Sequence, residues 1–236
     1  MTSVLIIGSG PNAVTAQKWN MADFDAVVAI NNAWRVVPEW THLIYPDDFG
    51  SDRMPPHLNA TQARVTSHDY VPAQNLFGGF VYAGGTMAFT AAYWALATLR
   101  PSTISVIGCD MVYPSSGNTH FYGTGTADPL RDDISLRSLA AKSARLMALA
   151  ARENCAMLNL SSDPSVLTFP RALPQKSAAC APLQYSAPAV AAALQAESDL
   201  GYYVPSGKYW KQEHQFDPHS IDRIDAMWLA LAPRVQ

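Results

Sequence analysis

The sequence predicts an α/β fold: a Rossmann-like, mostly parallel sheet with helices on both faces, followed by a C-terminal helical appendage. Short β-branched runs (Val4 to Ile7, Asp25 to Ile30, Thr41 to Tyr45, Ser102 to Gly108) each give way to Gly, Asn or Asp. That is how strands buried on both faces read where they end at the carboxyl edge of a parallel sheet. Between them lies Met87 to Leu99, a run with almost no polar atoms whose Met87, Phe89, Tyr93, Trp94 and Leu96 are spread all round a helix, so it must be covered on most sides. Near Pro170 the composition shifts to Pro, Ala and Ser, and two helical patterns follow, Ala189 to Leu200 and Ser220 to Leu231. The expected division is a nucleotide-binding unit over residues 1–170 and a helical appendage or lid over 171–236.

A chain of 236 residues with 49% hydrophobic content can bury a full core. Net charge is -3 and no basic block occurs, which argues against nucleic acid or an anionic membrane as partner and leaves a small molecule. Cys109, Cys155 and Cys180 lack metal-like spacing and are expected to be reduced, structural thiols. No run reaches the roughly 18 apolar residues of a membrane span, and the first strand starts without a basic leader, so the expected location is the cytoplasm.

Taken in order, the first strand runs into Gly8-Ser9-Gly10-Pro11-Asn12, where Pro11 suits the first turn of a helix. Such a turn can aim backbone N–H groups at a phosphate; it is also simply a tight connection. The second strand ends in Asn31-Asn32 rather than the acidic residue that would signal NAD. An Asn here can read a nucleobase edge or sugar hydroxyls, or only shape the turn. Asp47-Asp48 follows the third strand and admits either a metal or an ordinary acidic turn. From Gly50 to Gly79 the chain is expected to wander over the sheet edge, with one strand near Arg64 to Thr66.

Gly84-Gly85-Thr86 then leads into the long helix, with Thr86 as cap and the helix N-terminus suited to an anion. Asp110 stands at the carboxyl end of the next strand, where open α/β sheets hold their ligands. The loop Met111 to Asp133 carries Tyr113, His120, Tyr122 and Arg131, and its length points to function. His120 in a polar loop at this edge is the candidate general base, although an isolated His is more often structural. Ile134 to Glu153 is a helix whose Arg137, Lys142, Arg145 and Arg152 are expected to form a solvated face, and Ala156 to Leu160 is a buried strand. The aromatic and Gly segment 201–210 suits a lid or a contact with a second copy of the chain.

With Gly-Ser-Gly-Pro-Asn after the first strand, Asn31 after the second, Gly84-Gly85-Thr86 before the long helix, and Ile107-Gly108-Cys109-Asp110 before a Tyr- and His-bearing loop, residues 1–170 resemble the family-42 sialyltransferases. They also resemble the related domain of motility-accessory glycosyltransferases and archaeal 6-hydroxymethylpterin diphosphokinases. The resemblance implies a cytidine nucleotide held by Ser9, Asn12, Asn31, Gly84, Gly85 and Thr86, with Tyr113 and Tyr122 donating to the phosphate and no metal required; Gly8, Gly10 and Asp110 join the same expected site by their place in the first turn and at the strand end. It departs at two places: the family's first-loop Asn is Ser9 here, and its catalytic His aligns near Leu136. The implied activity is a transferase that uses a CMP-linked sugar donor and a glycan acceptor for surface glycan synthesis. The alternatives are a diphosphokinase holding magnesium through Asp47 and Asp48, or a nucleotide-binding protein without catalysis.

Overall fold

The computed structural model describes residues 2–113, 117–125 and 131–232. Strands β1 (Ser3–Ile7), β2 (Ala26–Ile30), β3 (His42–Ile44), β4 (Ala63–Val65), β5 (Thr103–Ile107) and β6 (Ala156–Asn159) form one sheet in the order β4-β3-β2-β1-β5-β6, and every pairing is parallel. β1 sits between β2 and β5, so the strand order reverses beside it, and its carboxyl end is the topological switch point of the sheet.

Alternation along the strands sends side chains to two different faces. Val4, Ile6, Val28, Ile30 and Ile104 share a buried cluster with Phe89, Tyr93, Leu146 and Leu149, which belong to α3 (Met87–Thr98) and α4 (Leu139–Arg152). Leu5, Ile7, Val27, Ala29 and Leu43 pack instead against Ala13, Ala16, Val36 and Trp40. That second face is covered by short 3-10 segments, Pro11–Lys18, Met21–Asp23 and Asn31–Arg35, where the sequence led to expect a regular helix after Pro11.

The stretch Gly50 to Gly79 contains more than the expected β4. Ser67–Asn75 forms α1, and just beyond the stretch Phe80–Ala83 forms the single turn α2. Asp69 starts α1 by accepting from the Thr66 N–H at 2.8 Å and from the Thr66 hydroxyl at 3.0 Å, so the first turn is fixed by a side chain. Pro72 inside the helix removes one donor and hides the pattern from a reading of the sequence.

The C-terminal helices α5 (Ala187–Leu200) and α6 (Pro218–Leu229) lie against α4 and share its hydrophobic cluster through Val190, Ala193, Ile221, Ile224 and Trp228. They correct the expectation of a solvated face at Lys142 and Arg145, while Arg137 and Arg152 are exposed as expected. Lys142 and Arg145 are 1% and 0% exposed. Lys142 Nζ donates to Asp225 Oδ1 at 2.7 Å. Arg145 donates to both Glu197 carboxylate oxygens at 2.7 and 2.8 Å and to Tyr93 Oη at 2.8 Å, while Trp228 Nε1 also reaches Glu197 Oε1 at 2.7 Å. A buried cation needs a paired, hydrogen-bonded acid, and here the acids come from α5 and α6. No helix among the described residues is long and apolar enough to cross a membrane.

Candidate functional site

A cleft of about 1210 Å³ opens at the carboxyl edge of the sheet. Its walls come from the loops after β1, β2, β3 and β5, the N-terminus of α3, and the C-terminal segment Ser206 to Trp210. Of the residues singled out from sequence, Gly8, Ser9, Gly10, Asn12, Asn31, Asp47, Asp48, Gly85, Thr86, Asp110, Tyr113, His120 and Tyr122 all line it, and Gly84 does not.

The first glycine turn is held by backbone. Gly8 N donates to Ile107 O and Gly10 N to Gly108 O, each at 2.8 Å. A Cβ at Gly8 would collide with the Gly108 carbonyl, and one at Gly10 would come within 2.8 Å of the same oxygen. These glycines are required because two loops cross with no room for a side chain, and their N–H groups are engaged by protein carbonyls rather than turned to a phosphate.

Asn12 and Asp110 are joined in a staple across the ends of β1, β5 and β6. Asn12 Nδ2 lies 2.7 Å from Asp110 Oδ2, 2.7 Å from Ser161 Oγ and 3.0 Å from Asp163 Oδ2, while Asn159 Nδ2 reaches Asp110 Oδ1 at 2.9 Å. Burial works to raise the Asp110 pKa, but the side-chain hydrogen bonds, Asn159 first among them, outweigh it and hold the carboxyl below its usual range.

Asn31 follows β2 with φ of 53°, in the left-handed region that Asn tolerates better than most side chains. Its Oδ1 is buried and has no hydrogen-bond partner among the described residues. The residue itself lines the cleft, while this oxygen is covered by protein.

The second glycine turn is held by side chains. Gly84 (φ 91°) sits over Phe89 and Lys142, so its role is packing beneath the cleft. Gly85 N donates to Ser135 Oγ at 3.0 Å, and its carbonyl accepts from Arg131 at 3.1 Å. Thr86 caps α3 by accepting from Phe89 N at 3.3 Å, and Thr86, Met87 and Ala88 present the first turn of that helix to the cleft.

Asp133 anchors this wall. It accepts from Ser135 Oγ at 2.6 Å, Ser135 N at 2.8 Å, Tyr209 Oη at 2.7 Å and Arg131 Nε at 2.9 Å. Burial works to raise its pKa, but hydrogen bonds from Ser135 and Tyr209, with Arg131 beside it, hold the carboxyl below its usual range. Burial pushes the Tyr209 phenol up to about 12, so it remains a donor at neutral pH. Sequence reading missed Asp133, Ser135 and Tyr209, for Tyr209 lies 76 residues from Asp133 and no local pattern joins them.

In the loop after β5, Phe121 N donates to Ser9 O at 3.0 Å, which ties the loop to the first turn. His120 and Tyr122 stack with centroids 4.9 Å apart and planes 22° from parallel. Burial lowers the His120 pKa, leaving the imidazole neutral near pH 7. Asp47 and Asp48 are exposed and line the cleft, as does Arg53. Among the described residues no three His, Cys, Asp or Glu side chains cluster as a metal site. Comparison of the chain with protein-family models, with curated proteins and with solved structures finds no match to any of them.

Proposed function

We propose that the cleft binds a cytidine nucleotide and that the protein transfers a sugar from a CMP-linked donor to a glycan acceptor. The observation that carries this reading is Asn31, held with φ of 53° at the end of β2 and lining a cleft at the switch point of a parallel sheet. A carboxamide at this edge can pair with a nucleobase edge or sugar hydroxyls, and the motif resemblance names the same residue. The phosphate then lies toward the first turn of α3, where helix N–H groups favour an anion, with the Tyr113 and Tyr122 hydroxyls as further donors. The acceptor enters past Lys208, Tyr209 and Trp210, whose aromatic and cationic side chains also line the cleft. Its hydroxyl gives its proton to neutral His120, the oxygen bonds to the anomeric carbon, and the bond from that carbon to the phosphate oxygen breaks with CMP as leaving group.

Calorimetry with CMP in EDTA tests the binding, and release of CMP from a CMP-sugar tests the chemistry. Binding that survives EDTA, with turnover that falls about 10²-fold or more in His120→Ala at unchanged CMP affinity, supports the reading. Asp47 and Asp48 on the same cleft favour one rival, a magnesium-dependent diphosphokinase. Binding of ATP that vanishes on chelation and returns with Mg²⁺ would replace the transferase by that reading. Tight CMP binding with no release of CMP from any donor would leave a binding protein.

A further inference from the structure

We infer that Thr119 fixes the tautomer of His120, placing the proton on Nδ1 and leaving Nε2 as the lone-pair nitrogen offered to the cleft. The catalytic consequence rests on the proposed role of His120 as base; the tautomer itself does not. The argument is one of hydrogen-bond inventory around a single hydroxyl, which has one proton and two lone pairs. Thr119 Oγ1 lies 3.1 Å from the Gly125 carbonyl oxygen, which can only accept, so the hydroxyl proton points there. Gly125 N donates back to Thr119 Oγ1 at 3.0 Å and occupies one lone pair. The second lone pair faces His120 Nδ1 at 2.9 Å. All three contacts are attractive together only when Nδ1 carries a hydrogen, since two lone pairs at that distance repel.

The surroundings of the ring agree. Its Nδ1–Cε1 edge is turned to the turn backbone: a Cβ built on Gly125 would meet Nδ1 at 3.2 Å and Cε1 at 3.3 Å. Tyr122 stacks on one face. The hairpin that carries the ring is closed by His120 N to Gly123 O at 3.0 Å and Gly123 N to His120 O at 3.1 Å, and both Thr119 and His120 line the cleft. Nε2 has no hydrogen-bond partner among the described residues and is not a buried, unsatisfied atom. A base needs such a nitrogen, and the orientation of the other one decides which nitrogen is basic. Thr119 is thus a positioning residue.

Long-range ¹H–¹⁵N correlation on protein labelled with ¹⁵N-histidine reads the tautomer directly, without any substrate. The expected spectrum assigns His120 a pyridine-type Nε2 and a pyrrole-type Nδ1. Thr119→Val removes the acceptor and should return the ring to a mixture rich in the Nε2–H form, while Thr119→Ser should keep the wild-type pattern. A protonated Nε2 in neutral wild-type His120, or an unchanged pattern in Thr119→Val, overturns the inference. If Thr119→Val does not fold, the wild-type and Thr119→Ser spectra still decide it. CMP release from a CMP-sugar should fall about tenfold in Thr119→Val at unchanged CMP affinity. A shifted tautomer with unchanged turnover would overturn the catalytic reading of His120 and leave the tautomer assignment standing.

Discussion

The two glycine turns look alike in sequence and are held in opposite ways. Gly8 to Gly10 is fixed by backbone bonds to Ile107 and Gly108, one strand away in the sheet. Gly84 to Thr86 is fixed by side chains from distant segments: Lys142 beneath it, and Ser135, Arg131 and Tyr209 around Gly85. A Gly-rich stretch before a helix therefore has two meanings. In the first turn the absence of side chains lets two loops cross. In the second it lets a polar cluster close on a turn that still presents a helix N-terminus to the cleft.

The largest expected effect tests the support of the second turn. Glu197→Ala leaves Arg145 buried without its acid and should cost about 3–5 kcal/mol, read as a lowered denaturation midpoint. A loss under about 1 kcal/mol would show that Glu197 does not hold α5 to α4 through Arg145. The next separates the turns themselves. Gly8→Ala drives a Cβ into the Gly108 carbonyl and should cost about 3 kcal/mol, with Tm down by roughly 6–12 °C. Gly85→Ala meets side-chain ends of Tyr209, Ser135 and Arg131 rather than backbone, so it should cost less than Gly8→Ala, about 1–2 kcal/mol for the hydrogen bonds it disturbs, and lower CMP affinity. Equal losses at both positions would break the distinction. Asn31→Ala should weaken CMP about tenfold, or about 1.4 kcal/mol by calorimetry, with little change in Tm.

The smallest effect concerns acid. The Asp133 carboxyl is held below its usual range in the folded protein, so its contribution is complete above the unfolded value of about 3.9 and is lost as pH falls through the lower, folded value. Asp110 behaves in the same way. Asp133→Asn should therefore lower stability near neutral pH and reduce the further loss between about pH 4 and the folded pKa, seen in urea melts across that range. A parallel pH dependence in wild type and variant would remove Asp133 as the anchor.

The strands and their polar endings were legible in the sequence because buried parallel strands carry unbroken apolar runs and ligand edges carry Gly, Asn and Asp. Residues from all the loops first singled out, apart from Gly84, do line one cleft. What was not legible depends on partners far along the chain. Lys142 and Arg145 have the spacing of a wet helix face, and only Asp225 and Glu197, 83 and 52 residues later, make them interior. Asp133 and Tyr209 meet in the same way. α1 was hidden by Pro72, and the 3-10 face by an apparent helix start at Pro11 that never becomes a regular α-helix.

The late position of Glu197 has a consequence for synthesis. At about 5–20 residues per second, the 52 residues that separate Arg145 from its acid take roughly 3–10 s to translate. Throughout that interval Arg145 and Lys142 lack the acids that pair with them in the folded chain, and Tyr209, which lines the cleft, comes later still. The wall of the cleft that Ser206 to Trp210 supply can therefore form only near the end of translation, and a chain cut at residue 170 would have the sheet and its loops without that wall.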